Sequence, residues 1–507
     1  MWGCNLTSTN NHAYLLVSEA QKQGAKLVVV DPRCTKIAQK ADIYLNPSPG
    51  TDDLLAFLII SKIMHREGLD LDFIDKHTEN SQHIIELIEK ITPAIESGIL
   101  NTCGIKAETV GAFVDLLIEN KKHTIFNIGY GVQKYRQGGQ VVQAIALIQI
   151  LLGNLGESGT GIIYSQSAFN RLYKQPLIDY LTQEKVLSSS SFPEIPLIKL
   201  GDALETGNYK ILFIYNFNPA SSLPNQVHLR NALSQNDLFV VQIDLFMNET
   251  SNYADLILPT KFDLETYDLF SNFYIPGLSV NEAGPCPYLD CYSNWEIFQQ
   301  IHRQVMGKNN EETRVFQESQ TDLYHQCLDL LSPFIRKSLL EEGFFLFHKK
   351  DEVPFPKNVY PTPTGRIQLK EFVIPQNWSK KIDQKTFREG EFHLLTPAHD
   401  CFIHSQLKML HPRSANDLRY IFLNSEDINA LSLVPQDLVQ VTNSFGTATY
   451  TIMPDPTLKQ RVALIHSGPS PLSDFSKNAN LFTPPQPEEL GNSGSYNAER
   501  IILKKTD

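Results

Sequence analysis

Two runs of mostly apolar residues, each ending in an aspartate, constrain the fold of this chain more than any other feature. Lys26-Leu27-Val28-Val29-Val30 stops at Asp31, and Leu238-Phe239-Val240-Val241-Gln242-Ile243 stops at Asp244. Such near-continuous runs belong to strands buried on both faces of a parallel sheet, because a strand with one wet face alternates polar and apolar residues. Both runs sit in similar surroundings. A Gly3-Cys4-Asn5 turn precedes the first, followed by a helix with Asn10 and Asn11 at its start, Ala13, Leu16, Val17 and Ala20 on one side, and Gly24 at its stop. Before the second, the strand Lys210 to Tyr215 ends in Asn216-Phe217-Asn218-Pro219-Ala220-Ser221, which echoes the Gly-Asn turn, and residues 225–235 read as a helix. The pattern implies two related α/β nucleotide-binding halves, suited to two nucleotide-like groups or to one large cofactor with two tails.

The strand ends carry the chemistry. An acidic tip such as Asp31 accepts two hydrogen bonds from a ribose or from the N1/N2 edge of guanine, and Arg33 two residues later pairs with phosphate. A solvated strand-end aspartate is the other reading of that residue taken alone. Pro49-Gly50-Thr51-Asp52 opens an apolar helix with Thr51 placed to cap it, and a helix start after such a turn offers free N–H groups to an anion. A well-capped core helix is the plainer alternative there. The strand His123 to Ile128 runs into Gly129-Tyr130-Gly131-Val132-Gln133 and on to Gly138-Gly139, then into a helix over 141–152 closed by Gly153-Asn154-Leu155-Gly156 and Gly159-Thr160-Gly161. Glycines at that place let backbone approach a bulky ligand, and Gln133 can read a polar heterocycle. Residues 69–121 read as helices that pack around the sheet and carry no recognisable chemistry. Asn248-Glu249-Thr250 leads into a short strand, Tyr253 to Pro259, through Asp255.

Composition bounds the partners. A chain of 507 residues, 42% apolar and 10% aromatic, has material for about three compact units. Its net charge of −12 disfavours duplex nucleic acid or an anionic membrane surface, so an anionic ligand has to be held locally. The longest apolar stretches, such as residues 54–63, are too short to span a bilayer, no leader pattern opens the chain, and a cytoplasmic location is the default expectation. Seven scattered cysteines include no Cys-x-x-Cys, which excludes a zinc knuckle or a four-cysteine iron–sulfur run in these residues. Cys4 reads as a small buried apolar residue.

Towards the C-terminus, the strand Phe392 to Thr396 leads to Pro397-Ala398-His399, with His404-Ser405 beyond it. A helix over 425–431 and alternating strands over 438–443 and 448–453 around Gly446 follow, and 462–466 is a further strand ending in His466-Ser467-Gly468. These elements predict a compact β-rich barrel.

Taken in order, Trp2-Gly3-Cys4-Asn5 with His12, Val30-Asp31-Pro32-Arg33 with Thr35 and Ala41-Asp42, Pro49 to Asp52, the Gly129–Gly139 loop, Gly153 to Gly161, Asn216 to Pro219, and Asp244 through Pro259 resemble the dimethyl sulfoxide reductase family of molybdopterin oxidoreductases. The resemblance spans nearly the whole chain. It implies Rossmann-like parallel-sheet domains with helices on both faces, over 1–185 and 186–385, followed by a double-psi-type β-barrel domain over 386–507. It also implies oxygen-atom or hydride and electron transfer, with a small redox substrate, at a molybdenum or tungsten centre held by two molybdopterin guanine dinucleotides. In such an enzyme the cofactor carries the redox chemistry and the protein supplies orientation, electrostatics and exclusion of solvent. The cofactor contacts it implies are Gly3, Cys4, Asn5, Asp31, Arg33, Thr35, Gly50, Thr51, Asp52, Gly129, Gly131 and Gln133 in the first half. In the second half they are Asn216, Asn218, Pro219, Gln242, Asp244, Thr250 and Asp255, and in the barrel Thr396, Ala398, His404, Ser405, Asn478 and Tyr496.

The sequence departs from the family pattern at its start. The family's iron–sulfur domain and the segment bearing the metal ligand are not represented, Cys4 lies inside the turn and not at the ligand position, and only Met1 and Trp2 stand where a leading strand belongs. Loss of that strand predicts an unpaired apolar edge. Three readings follow: an oxidoreductase whose full product is longer, an enzyme completed by a separate iron–sulfur polypeptide, or a non-catalytic cofactor-binding or structural protein.

Overall fold

A computed structural model of the chain describes residues 1–165, 194–271, 276–288, 290–306, 317–347, 352–369, 387–406, 410, 416–470 and 477–506. The Ser-rich passage 188–191 and the expected boundaries near 185 and 385 lie outside the described residues.

The first unit is a parallel sheet. Val28–Val30 pairs with Ile43–Leu45, and Ile125–Asn127 pairs with Gly161–Ile163, both in parallel. Trp2 joins the two pairs, bridging Val30 on one side and Ile128 on the other. Its N–H donates to the Asn127 carbonyl at 2.8 Å, and Gly129 N–H donates back to the Trp2 carbonyl at 2.8 Å. The expected open edge is therefore not where the sequence reading put it. Met1 and Trp2 occupy a central position between two strands, and the neighbours Val30 and Ile128 are buried.

Helices cover this sheet. Asp52–His65 is apolar on every side and is buried almost throughout, because Gly138–Leu151 and the helices Pro93–Cys103 and Ala107–Glu119 pack around it. Thr51 occupies the N-cap position of Asp52–His65, but its hydroxyl donates to the Ser48 carbonyl and does not cap a helix N–H. In Asn11–Lys22 the cap is Asn10, whose side chain accepts from Ala13 N–H. Ala13 and Val17 pack inward with Leu6, Leu27 and Val29, whereas Leu16, 74% exposed, and Ala20 face outward.

The second unit repeats the parallel arrangement. Ile211–Tyr215, Phe239–Asp244 and Leu256–Pro259 lie side by side in that order. Gln226–Leu233 and Leu200–Glu205 pack on one face, and Ile297, Phe298 and Ile301 of Asn294–Met306 cover part of the other. A three-stranded antiparallel sheet, Asp268–Ser271, Gly277–Asn281 and Phe344–Leu346, extends the unit. Ile367–Gln368 returns to pair with Thr78–Glu79, and Leu369 enters the core of the first unit. This short segment thus packs on the first unit, although the sequence expectation counted it with the second.

The third unit is a closed six-stranded barrel of the double-psi type. Around it run Glu391–Leu395, Val462–Leu464, Tyr420–Leu423, Thr447–Pro454, Leu438–Thr442 and Arg500–Lys505. Alternating inward residues, including Phe392, Ile421, Leu423, Val439, Val441, Tyr450, Ile501 and Leu503, fill the interior with Phe482.

Candidate functional site

The two α/β halves share a numbered architecture. Gly3 N–H donates to the Val30 carbonyl, and Asn216 N–H, 213 residues on, donates to the Ile243 carbonyl, also 213 residues on. Gly3 and Asn216 both adopt a left-handed backbone, at φ 59° and 50°. The short helices that follow, Leu6–Thr9 and Pro219–Ser222, keep the same offset, with Asn5 and Asn218 at their N-cap positions. Asp42 accepts from Leu27 N–H at 2.9 Å, and Asp255 accepts from Val240 N–H at 2.7 Å. Asp31 and Asp244 close the equivalent strands.

This register sorts the expected site residues. Ligands of open parallel sheets bind outside the carboxyl ends of the strands. Gly3, Asp31, Asn216, Asn218, Gln242 and Asp244 lie at or near those ends. Asp42 and Asp255 do not: they tie the strand starts together, so Asp255 is a structural residue and leaves the candidate site.

Around the first end, three separate motifs meet. Asp52 accepts the Trp2 indole N–H at 2.7 Å, beneath the opening turn. Gly50, at φ 77°, lies against the Tyr135 ring from the glycine-rich loop. A Cβ at Gly129 would stand 2.0 Å from the Gly3 carbonyl oxygen, so only glycine permits that contact. Burial, reinforced by the charge of Asp52, pushes the Asp31 carboxyl up to about 7 against the hydrogen bond it accepts from Arg33 N–H. Arg33 reaches Asp455 of the barrel at 3.5 Å, and Cys34 N–H donates to the Thr457 carbonyl. Thr35 is buried and accepts from Ala38 N–H.

Other residues are used locally. The Asn5 side chain is satisfied by Ser8 and Thr7. Burial raises the Cys4 thiol to about 11, so it is held protonated and supplies no thiolate. Gln133 accepts from the Tyr164 hydroxyl. Gly131 stands close to the Gly3 carbonyl.

At the second end a buried polar knot joins the second half to the barrel. Asn218 donates to Glu249 at 2.8 Å and accepts from the Thr250 hydroxyl at 2.8 Å. The Ser470 N–H donates to the other Glu249 oxygen at 3.0 Å. Asn478 donates to the Ser221 hydroxyl and to the Gly468 carbonyl, and Asn480 donates to the Ser221 carbonyl. Pro219 opens the helix between them. Gln242 donates to Asn248, which donates to Asp244 at 2.8 Å. The Gln242 Oε1, Asn480 Oδ1 and Ser470 Oγ atoms are buried with no hydrogen-bond partner among the described residues. Of these, Gln242 Oε1 lies beside the Asp244 strand tip, and a stranded acceptor there suits the donor edge of a nucleobase or pterin.

The barrel contributes unequally. Thr396 is pinned by Asn497, and Ala398 bridges Ser467. His404 is exposed, at φ 53°, and Ser405 is half-buried beside it. The Tyr496 hydroxyl donates to the Ser222 carbonyl, at 3.4 Å, and so touches the second half. Sequence reading missed Glu249, Asn480 and the packing role of Trp2. Glu249 stood in a noted motif, but its value as a buried acceptor depends on Ser470, more than two hundred residues away.

The first 304 residues match the model of the molybdopterin oxidoreductase family, and residues 392–499 match the molybdopterin dinucleotide-binding domain. The chain belongs to the molybdopterin oxidoreductase family. It is 26% identical to the Bacillus subtilis protein named "Probable oxidoreductase YoaE", over 99% of this chain and 74% of that one. The F420-dependent formate dehydrogenase subunit alpha of Methanocaldococcus jannaschii is 30% identical over 50% of this chain and 40% of its own length. Formate dehydrogenase H of Escherichia coli is 23% identical, over 85% of this chain and 62% of its own. The acetylene hydratase of Pelobacter acetylenicus shares the fold with a TM-score of 0.70 at 16% identity, covering 97% of this chain and 75% of that one. Membership of this oxidoreductase family accounts for both halves and the barrel at once.

Proposed function

We propose that the chain grips two molybdopterin guanine dinucleotides, one at the carboxyl end of each α/β half, with the barrel closing over both. The observation that carries this reading is the constant offset linking Gly3, Asp31 and Asp42 to Asn216, Asp244 and Asp255, which places an acidic tip and a left-handed turn at each of two equivalent ends. Asp31 and Asp244 serve the guanine edges, with Gln242 adding an acceptor in the second half. Gly3, Gly50 and Gly129 let the opening turn, the helix start and the glycine-rich loop pack on one another, which shapes the backbone at the first end. Arg33 and Thr35, at the barrel border, hold the phosphate end of the first dinucleotide.

When bound, the cofactor supplies redox chemistry at molybdenum or tungsten. The chain's own residues bind, orient and shield it. The family relation and the formate dehydrogenase and nitrate reductase relatives support exchange of oxygen atoms, or of hydride and electrons, with a small-molecule substrate. Electron supply through an iron–sulfur segment or subunit fits relatives that are themselves named as alpha subunits. Cys4 packs in an apolar cluster with Leu6, Leu27 and Val29 and is given no part in holding the metal. No helix of the described residues is long and apolar enough to cross a membrane.

The test is direct. Protein purified from molybdenum-replete cells is denatured, and released pterin and guanine nucleotide are quantified. Folded protein that releases neither overturns the reading.

A further inference from the structure

The second sheet leaves one edge open. Ile211–Tyr215 is its outermost strand, and among the described residues nothing pairs with the side turned away from Phe239–Asp244. Burial alternates along it. Leu212 and Ile214 pack with the helices Leu200–Glu205 and Gln226–Leu233, while Ile211, Phe213 and Tyr215 are exposed on the opposite face. Phe239, opposite Ile211 in the register, and Leu256 on the third strand are exposed on that face as well. Parallel sheets are normally covered on both faces, and an open apolar edge strand is a template for pairing with another polypeptide.

The first half shows what fills the equivalent place. At the constant offset between the halves Tyr215 stands where Trp2 stands, yet Trp2 is 2% exposed and Tyr215 is 53% exposed. The difference lies on the far side of each strand. Ile128, at the end of Ile125–Asn127, meets Trp2 there in a parallel bridge, and the chain then enters the helix Gly138–Leu151, which packs with Asp52–His65 over Trp2, Val30 and Leu45. In the second half Asn294–Met306 takes the place of Asp52–His65, since its Ile297, Phe298 and Ile301 pack on Val241, Ile243 and Leu258. Phe298 touches only the rim of the open region, its ring 6.1 Å from that of Phe213 and 5.3 Å from that of Tyr215. Among the described residues no strand and helix occupy the places that Ile125–Asn127 and Gly138–Leu151 hold in the first half.

We propose that this edge and face dock a strand-and-helix segment of a polypeptide outside these 507 residues. Its strand is apolar and pairs in parallel with Ile211–Tyr215, as Ile128 pairs with Trp2, and its helix lays an apolar stripe over Ile211, Phe213, Tyr215, Phe239 and Leu256. The relatives have room for such a segment, because this chain covers 74% of the Bacillus subtilis protein and 75% of the acetylene hydratase. The surface is the same whichever ligand fills the strand ends, so it stands or falls apart from the dinucleotide reading.

Wild type, Ile211→Lys and, as a control on an exposed position elsewhere, Leu16→Lys are purified with the fold checked by circular dichroism. In the chain alone, amide hydrogen exchange over 211–215 is expected to be fast beside that over 239–243. The stretches of the Bacillus subtilis protein outside its match to this chain are then co-expressed with each variant as separate tagged polypeptides. One of them is expected to co-purify in equal amount and to slow exchange over 211–215. Titration should show it binding Ile211→Lys roughly ten- to a hundred-fold more weakly than wild type, and Leu16→Lys unchanged. Protection of 211–215 in the monomeric chain alone overturns the proposal and assigns the edge to the chain's own residues. Protection in a dimer overturns it in favour of a second copy. It also fails if no stretch binds, or if binding leaves both the exchange over 211–215 and the Ile211→Lys affinity unchanged.

Discussion

Asp31 and Asp244 close equivalent strands 213 residues apart, and their surroundings differ. The Asp31 carboxyl is pushed up to about 7 by burial and by Asp52, and the Asp244 carboxylate is met by the side-chain amides of Asn248 and Gln242. A guanine edge needs the ionised acid, because both of its ring-edge N–H groups are donors. Binding of GMP at the first half is therefore expected to weaken as pH falls from 8 to 6, through the Asp31 value. Titration calorimetry at several pH values checks this, and Asp31→Asn should abolish the slope. The linkage runs the other way for the ligand-free fold. A raised folded value favours stability below pH 4 and withdraws it as pH rises through about 7.

Asp42 and Asp255 make the same hydrogen bond in the two halves, far from the ligand ends. Both are exposed, so Asp42→Asn and Asp255→Asn should each cost about 1 kcal/mol or less in urea unfolding. Neither should change guanine nucleotide content. A drop in content on Asp255→Asn would return that residue to the site.

Glu488 ties the barrel's C-terminal loop to the start of the helix Gly138–Leu151. One of its oxygens accepts from Gly139 N–H at 2.7 Å, and the other from Gly491 N–H at 2.6 Å. Glu489 takes the next helix donor, Gln140 N–H, at 3.0 Å. The start of this helix is thus filled by two protein carboxylates. Glu488→Ala should destabilise the chain by about 1–2 kcal/mol, as the part-buried N–H groups lose their acceptor. Gly139→Ala should disrupt the same clasp, because its Cβ would meet Glu488 Oε1 at 2.5 Å. Limited proteolysis of the 486–499 loop reports both.

His393 and His466 in the barrel are held neutral by burial, each near 4, with Arg500 and His399 respectively adding to the depression. Their unfolded value is near 6.5, so their contribution is present above that pH and is lost as pH falls through 4. Each accounts for a loss on the order of 3 kcal/mol at most. Urea midpoints measured from pH 7 to pH 4 should fall, and His393→Gln should flatten the curve.

Much of this was legible in the sequence. The runs ending in Asp31 and Asp244 fixed parallel strands, and the echo of Gly3-Cys4-Asn5 in Asn216 to Asn218 exposed the two halves. The barrel followed from alternation around Gly446. What could not be read is what depends on distant partners. Asp255 looks like a site residue until Val240 N–H is seen to claim it. The Pro49 to Asp52 turn and the Gly129–Gly139 loop show no sign in sequence that Trp2 and Tyr135 will knit them together. The central placement of Trp2 likewise depends on Ile128, which comes from an element more than a hundred residues later.

The claim that each half holds one dinucleotide is tested most directly by counting guanine nucleotide per folded chain in wild type, Asp31→Asn, Asp244→Asn and the double variant. The account predicts two in wild type, about one in each single variant and close to none in the double. One nucleotide in wild type, or two retained in the double variant with the fold intact by circular dichroism, would contradict it.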